Sequence, residues 1–124
     1  MARWHAPTLS AFADRVRGAD RAVVESYGDV ANPLEDVPVD AVAVVEPTRV
    51  RVYGGERYQR ACEAAGGSAR GGQLEEPVGQ VVALLDPVAT TELPALGSEE
   101  RADPATVARA YDHSYDALLA VALE

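Results

Sequence analysis

The clearest pattern of apolar and polar positions lies in the middle of the chain. Residues 41–46 (AVAVVE) form an apolar run rich in valine, which predicts a buried strand. Residues 48–53 (TRVRVY) alternate between polar and apolar positions, which is typical of a strand with one buried face. Because only Pro47 and Thr48 interrupt the pattern between the two runs, we expect a β-hairpin with one face packed on a core.

Helical spacing of apolar residues predicts helices on both sides of this hairpin. Residues 8–17 carry apolar side chains at i, i+3, i+4 and i+7, and residues 56–65 contain strong helix formers followed by two glycines. The clearest helix begins with Asp103 as N-cap and Pro104 in the first turn, and extends to about residue 123. Its core-facing residues are predicted to be Val107, Tyr111, Ser114 or Tyr115, Leu118 and Ala122.

The remaining segments give weaker patterns. Residues 21–26 contain two adjacent valines and predict a short strand, whereas residues 76–85 fit helical spacing, with a strand as the alternative. Residues 27–40 and 86–102 are rich in proline and acidic residues and are predicted to be loops. The glycine-rich residues 66–73 predict a flexible connection.

The order of these elements predicts a small α+β domain, in which a β-hairpin or small sheet packs against three to four helices. A three-layer α/β fold is the alternative. A length of 124 residues suits one domain, so we expect residues 1–124 to form a single globular unit.

Composition narrows the class of protein. A hydrophobic content of 48% with 25% charged residues indicates a globular chain rather than a disordered one. The apolar runs are much shorter than the ~18 residues that a membrane-spanning helix needs, and the first residues lack the apolar core of a secretory signal. Cys62 is the only cysteine, which excludes an internal disulfide and a multi-cysteine zinc site. We therefore expect a cytoplasmic protein with no membrane partner.

The acidic residues outnumber the basic ones by 20 to 11, which gives a formal net charge of −9. Every basic residue is an arginine, and the chain contains neither lysine nor isoleucine. This usage is typical of a GC-rich genome, and the acidic excess also fits a salt-rich cytoplasm, so we expect a halophilic archaeon or an actinobacterium as the source. The net charge argues against general binding to nucleic acid, because the phosphates would be repelled.

The charge is unevenly distributed along the chain. Residues 1–48 carry a net charge of −4 and residues 71–124 a net charge of −8, whereas residues 49–70 carry +3. We call residues 49–70 the basic segment. It contains the second predicted strand and the helix that follows, so positive charge is concentrated on the best-defined part of the sequence.

Arginine side chains and a glycine pair in the basic segment suit an anion. Arginine can hold a carboxylate or phosphate in two parallel hydrogen bonds, Gly54-Gly55 allows close approach of backbone, and the next helix offers a positive dipole end. Glu56 at that helix start would compete with the anion. The candidate anion-binding residues are Arg49, Arg51, Tyr53, Arg57 and Arg60. In the alternative interpretation, these arginines pair with neighbouring acidic segments or with a partner chain.

A second candidate cluster lies in the last helix. Asp112 and Asp116 are one turn apart with His113 beside them, a set of groups that could hold a divalent metal or transfer a proton. Only one helix contributes, so we expect an exposed acidic face instead and predict no metal and no cofactor. Cys62 in the middle of its helix is expected to be a small buried hydrophobe, and the sequence contains no recognised catalytic motif.

Two functions follow from these patterns, and the sequence leaves open whether the protein is an enzyme. The first is a non-catalytic interaction or accessory protein that self-associates or binds another protein, with the basic segment of one copy contacting acidic segments of the next. The alternative is a binding protein or enzyme for a phosphate- or carboxylate-bearing small molecule, which would use residues 49–60.

Overall fold

The structure, a computed structural model, describes residues 11–26, 30–32, 37–66 and 78–123. These residues contain a three-stranded antiparallel sheet and about six helices, which confirms the predicted α+β class. The chain divides into two compact units, each built from two stretches of sequence. Unit 1 consists of Met1–Pro38 and Tyr58–Leu85, and unit 2 consists of Val39–Arg57 and Asp86–Glu124. A single domain over residues 1–124 stays a prediction.

The helices and strands follow one another along the chain with mostly short connections. Helix α1 occupies residues 11–18 of the described chain. The strands are β1 (Ala41–Val45), β2 (Arg49–Gly54) and β3 (Ala89–Glu92). The other helices are α2 (Gly55–Gly66), α3 (Val78–Val82), α4 (Ser98–Ala102), α5 (Pro104–Ala110) and α6 (Asp112–Ala122).

The predicted hairpin is the centre of unit 2. Strands β1 and β2 pair antiparallel, with Val45 opposite Val50, and the N–H of Glu46 donates to the carbonyl of Arg49 at 2.9 Å across the turn. Strand β3 adds to the other side of β2 in the order β1-β2-β3, with Arg49 opposite Glu92. The central strand β2 is therefore paired along both edges.

The core of unit 2 lies between one face of this sheet and helix α6. Val50 and Val52 share that face and are almost completely buried, as their alternation with polar residues predicts. Thr91, which pairs with Val50 in the sheet, shares a hydrogen bond of 2.6 Å with the hydroxyl of Ser114 on α6. Since α6 contacts all three strands, this partly buried polar pair shows which side of the helix faces the sheet.

The prediction that residues 86–102 form a loop is wrong, because they contain β3 and α4. The strand is only four residues long, and hydrogen bonds to distant residues hold its ends. The N–H of Val88 donates to the carbonyl of Val52 at 2.8 Å, and the N–H of Leu93 donates to the carbonyl of Thr48 at 2.8 Å. A short polar strand that depends on such distant partners leaves little local pattern in the sequence.

The predicted strand over residues 21–26 is also wrong. Residues 22–26 have no regular structure, and Val23 is 95% exposed. Val24, in contrast, packs against the small cluster formed by Ala13 and Val37 in unit 1. Adjacent valines point in opposite directions in an extended chain, so only one of them reaches this cluster.

Two predicted helices are confirmed where the structure describes them, and the third, predicted over residues 76–85, is helical but shorter because it ends at Val82. Residues 11–18 are helical, and so are Gly55–Gly66 and Val78–Val82, with Val81 completely buried. Cys62 is buried on α2, as expected for a small hydrophobe. The start of the first helix, most of the segment 66–73 and parts of residues 27–40 lie outside the described residues.

The last helix begins where the sequence predicts but is interrupted. Asp103 is the N-cap of α5 and Pro104 is its first residue. Tyr111 then separates α5 from α6, with non-helical backbone angles of φ −96° and ψ 3°. Of the two alternatives for the core-facing position, Ser114 is buried and Tyr115 is exposed.

Candidate functional site

Two arginines of the basic segment converge on one glutamate at the hairpin turn. The Nε atoms of Arg49 and Arg51 donate to the same carboxylate oxygen, Oε2 of Glu46, at 2.8 and 2.9 Å. The Nη2 atom of Arg49 lies 3.4 Å from the other oxygen, Oε1. We call these three residues the Arg–Glu cluster. It forms because Glu46 and Arg49 flank the two-residue turn, and because Arg51 lies on the same sheet face as Arg49.

The charges in the Arg–Glu cluster stabilise one another. The hydrogen bond from Arg49, together with the positive charges of both arginines, holds the pKa of Glu46 below its usual value. The same hydrogen bond to Glu46 raises the pKa of Arg49. Glu46 is therefore held in its charged form, and its carboxylate already occupies the position that an anionic ligand would take between the arginines.

Tyr53 lies on the same strand as the two arginines but in different surroundings. Only 1% of its surface is exposed, and burial raises the pKa of its phenol. The Tyr53 side chain is thus part of the interior rather than of the exposed polar surface beside Arg49. An anion bound at the surface would contact the arginines without contacting the tyrosine hydroxyl.

The two remaining candidate anion-binding residues lie on helix α2. Arg57 and Arg60 are both exposed, and the boundary between the compact units falls between them, with Arg57 in unit 2 and Arg60 in unit 1. Of the five candidates, the structure thus brings Arg49 and Arg51 together on a shared partner.

The glycine pair at the β2–α2 junction permits a close approach, but the approach is made by the chain itself. A Cβ atom on Gly55 would overlap the backbone carbonyl of Val39 and lie 2.9 Å from the carbonyl carbon of Asp40. The N–H of Gly55 also donates to the carbonyl of Asp40 at 3.0 Å. At Gly54 a Cβ would meet nothing within 4 Å. The need for glycine at position 55 is therefore explained by packing against residues 39 and 40.

The second candidate cluster forms an exposed face. Asp112, His113 and Asp116 are all exposed on α6. Within residues 11–26, 30–32, 37–66 and 78–123, no three His, Cys, Asp or Glu side chains come together as a possible metal site. Arg109 donates at 3.3 Å to the hydroxyl of Thr106 on its own helix.

The structure adds a surface that was not among the sequence-based candidates. Tyr115, Leu119 and Leu123 are 51%, 51% and 76% exposed, and they follow one another at intervals of four residues along α6 and its C-cap. We call these three residues the outer row. The rings of Tyr111 and Tyr115 continue it toward the helix start, with centroids 6.3 Å apart. The four-residue spacing is visible in the sequence, but apolar periodicity alone predicts a buried face and does not indicate a second, exposed row.

Comparison with known proteins identified no match to a family model, to a curated protein or to a solved structure. In the part of the chain that the structure describes, no helix combines the length and apolar character needed to cross a membrane.

Proposed function

We propose that this chain is a non-catalytic cytoplasmic interaction protein that self-associates through the outer row of α6. The single observation that carries this proposal is the exposure of Tyr115, Leu119 and Leu123 on one line of the helix. Single exposed apolar residues are common on protein surfaces, whereas a contiguous row is typical of an interaction site. A second copy that covers the row would remove apolar surface from water.

The apolar gain from such a contact is large compared with that of surface ion pairs. Full burial of a completely exposed leucine or aromatic side chain contributes roughly 1.5–3 kcal/mol, and each member of the outer row still has about half or more of its surface to bury, so each could contribute about half of that or more. Exposed ion pairs contribute about 0.2–1 kcal/mol. The outer row is therefore a stronger driving force than the same number of surface charges.

The ion pairs within the chain favour the outer row over the contact expected from the sequence. In a contact between the basic segment and acidic segments of a second copy, Arg49 and Arg51 would be shared with Glu46, which both already bind, so part of their positive charge is already compensated. Contact through the outer row does not compete with Glu46. Unit 2 carries eleven acidic residues and five arginines, a net charge of −6, so two copies repel each other at long range.

The two forms of self-association respond to salt in opposite directions, which gives the test. We expect sedimentation velocity at increasing protein concentration to show a dimer or larger species. The association should be stronger in ~1 M than in ~0.1 M KCl, because the screening length falls from ~10 to ~3 Å and repulsion weakens. Weakening by salt would favour the arginine contact instead. A monomer at every concentration and salt level would contradict self-association.

Melting in the same buffers tests whether the acidic composition is an adaptation to salt. Strong stabilisation of the monomeric fold by molar KCl would support a salt-rich cytoplasm, since the carboxylates then repel one another less. A melting temperature that does not change with KCl would support simple compositional bias.

The second candidate function is binding of a phosphate- or carboxylate-bearing small molecule. One observation favours it: two guanidinium groups converge on a single carboxylate oxygen, so the pair has the geometry to hold an anion. Glu46 occupies that position, and Glu46→Gln would remove its charge while keeping a similar shape. We expect inorganic phosphate or citrate to raise the melting temperature of Glu46→Gln more than that of the wild type.

The matched control for anion binding is Glu46→Gln combined with Arg51→Gln. This double variant lacks one of the converging guanidinium groups and should lose the additional stabilisation. If phosphate and citrate raise the melting temperatures of the wild type, Glu46→Gln and the double variant equally, they act as general salts. That result would exclude the anion site.

A further inference from the structure

Helices α4 and α5 contribute no buried residue to unit 2. Every residue from Gly97 to Ala110 is exposed or half-buried. Helix α6, in contrast, buries Ser114 and contacts all three strands. Among the described elements, the main contacts of α4 are with α5, and those of α5 are with α4 and α6. We call residues 97–110 the helical arm, because its main connection to the sheet of unit 2 runs through α6.

The hydrogen bonds of the helical arm are local. The N–H of Gly97 donates to Oε1 of Glu100 at 3.0 Å. The hydroxyl of Thr106 donates to Oδ2 of Asp103 at 2.6 Å. In the backbone, the N–H of Arg101 donates to the carbonyl of Gly97 at 3.0 Å. Since both partners of each bond lie within the arm, these bonds can break while the sheet keeps its own.

The two helices of the arm depend on each other. Helix α4 has five residues and α5 has seven, and Asp103 is both the C-cap of the first and the N-cap of the second. Isolated helices shorter than ~12–15 residues are marginal in water, so neither helix is stable by itself. We therefore expect α4 and α5 to form and to unfold together.

The joint between the arm and α6 lies at Tyr111. Its backbone angles, φ −96° and ψ 3°, separate the two helices. The N–H of Tyr115 donates to the carbonyl of Tyr111 at 3.0 Å, so the first turn of α6 closes without a residue of the arm. Helix α6 can therefore stay hydrogen-bonded when the residues before Tyr111 leave the helical conformation.

We infer that the helical arm is a conformational device, which opens as one unit about Tyr111 while the sheet and α6 stay folded. Segments with few buried contacts open at a lower free energy than the core to which they are attached. The arm has no buried residue, whereas Val50 and Val52 in the sheet are almost completely buried. This inference concerns unit 2 alone and does not depend on self-association.

Native-state hydrogen exchange of the full chain, followed by NMR, tests the inference. The N–H groups of Arg101 and Val107 report on α4 and α5, and those of Val88 and Leu93, which donate to Val52 and Thr48, report on the sheet. We expect the protection factors of the two arm amides to agree within about fivefold and to be lower than those of the sheet amides by a factor of about ten or more. Arm exchange should also depend little on added urea, because local opening exposes little surface.

Two proline substitutions at exposed helical alanines separate the arm from α6. Ala108→Pro breaks α5, and its matched control Ala120→Pro breaks α6. We expect Ala108→Pro to lower the protection factor of the Val88 amide by less than about threefold, and Ala120→Pro to lower it by about a hundredfold or more. The arm amides should lose their protection in Ala108→Pro.

Three results would overturn the inference. Equal protection of the arm and sheet amides would mean that the arm opens only when unit 2 unfolds. Protection factors of Arg101 and Val107 that differ by more than about fivefold would mean that α4 and α5 open separately. A loss of Val88 protection in Ala108→Pro as large as in Ala120→Pro would mean that α5 supports the sheet. If Ala120→Pro does not fold, the wild-type exchange and Ala108→Pro still decide the question.

Discussion

The basic segment and the outer row of α6 make opposite use of their side chains. In the described part of the basic segment, Arg49 and Arg51 bind Glu46 of the same hairpin, and Gly55 packs against residues 39 and 40. The outer row instead presents Tyr115, Leu119 and Leu123 to solvent. The arginines and the glycine pair, which stand out in the sequence, therefore make contacts within the fold, whereas the exposed apolar row lies on a helix whose other side packs on the sheet.

The comparison between the two regions shows that an unusual charge pattern indicates interactions within the chain, whereas exposed apolar surface indicates where another molecule could bind. An unusual charge pattern identifies a segment with strong interactions, but those interactions can all lie within the chain. Exposed apolar side chains make no such interactions within the chain, and their contact with water is unfavourable, so a partner that covers them lowers the free energy. We therefore expect substitutions in the basic segment to change folding stability and substitutions in the outer row to change association.

The largest expected effect is on folding, from Gly55→Ala. Its Cβ would overlap the carbonyl of Val39, and the obstacle is backbone that cannot move without disturbing the start of β1. We expect the free energy of unfolding to fall by about 3 kcal/mol, measured by urea denaturation.

Gly54→Ala is the matched control, because a Cβ there meets nothing within 4 Å. It should change the free energy of unfolding by less than about 1 kcal/mol. If both variants lose the same free energy of unfolding, the stability depends on the backbone flexibility of the glycine pair and not on the close approach of Val39 to Gly55.

The next effect is on association, from Leu119→Glu. This change places a charge in the middle of the outer row and should raise the dissociation constant of the self-associated state at least tenfold, or about 1.4 kcal/mol. Sedimentation equilibrium gives the constant. The melting temperature of the monomer should stay nearly unchanged, because the side chain is exposed.

Ala120→Glu adds the same charge at an exposed position next to Leu119 but off the row, and serves as its control. Its dissociation constant should stay within a factor of about three of the wild type. An equal loss of association in both variants would show that added negative charge, and not the apolar row, controls the contact.

A smaller effect is expected on the sheet-facing side of the same helix. Ser114→Ala removes the hydrogen bond to Thr91 and leaves a partly buried hydroxyl to find another partner. We expect a loss of about 1 kcal/mol in the free energy of unfolding with no change in association. A double-mutant cycle with Thr91→Val measures the coupling, and a coupling near zero would contradict the bond.

The smallest effect is a pH dependence from the Arg–Glu cluster. Because the pKa of Glu46 is lower in the folded chain than in the unfolded one, its contribution to stability is present above the unfolded pKa and is lost as the pH falls through the folded pKa. We expect the wild type to melt slightly above Glu46→Gln at neutral pH. This difference in melting temperature should shrink as the pH falls below the usual glutamate pKa of ~4.3 and vanish once Glu46 is protonated in the folded chain. A difference in melting temperature between the two proteins that stays the same at every pH would contradict this prediction.

The elements with a clear local pattern were predictable. Alternation with Val50 and Val52 predicts the hairpin, and the N-cap at Asp103 with Pro104 predicts the start of the last helix. In these places local preference and tertiary packing favour the same structure. Strand β3 depends on hydrogen bonds to Thr48 and Val52, and nothing in its own four residues indicates them.

The candidate site was predictable only in part. The alternation of residues in the β2 sequence places Arg49 and Arg51 on one face, and the structure bears this out through their shared contact with Glu46. The burial of Tyr53 on that same strand depends on packing from elsewhere in the fold. The break at Tyr111 was not predictable either, since neither proline nor glycine occurs there.

The order of strands in the sheet has a consequence for how fast the chain folds. β1 meets β2 across a two-residue turn, whereas Arg49 of β2 meets Glu92 of β3 only after a much longer loop has closed. Loop closure becomes entropically more costly with length, and distant contacts slow folding. We expect the β1–β2 hairpin to form early in folding. Strand β3 should pair with β2 last, at the same time as α6 docks through the hydrogen bond between Thr91 and Ser114. In pulse-labelled hydrogen exchange during refolding, protection of β1 and β2 amides should therefore precede that of β3.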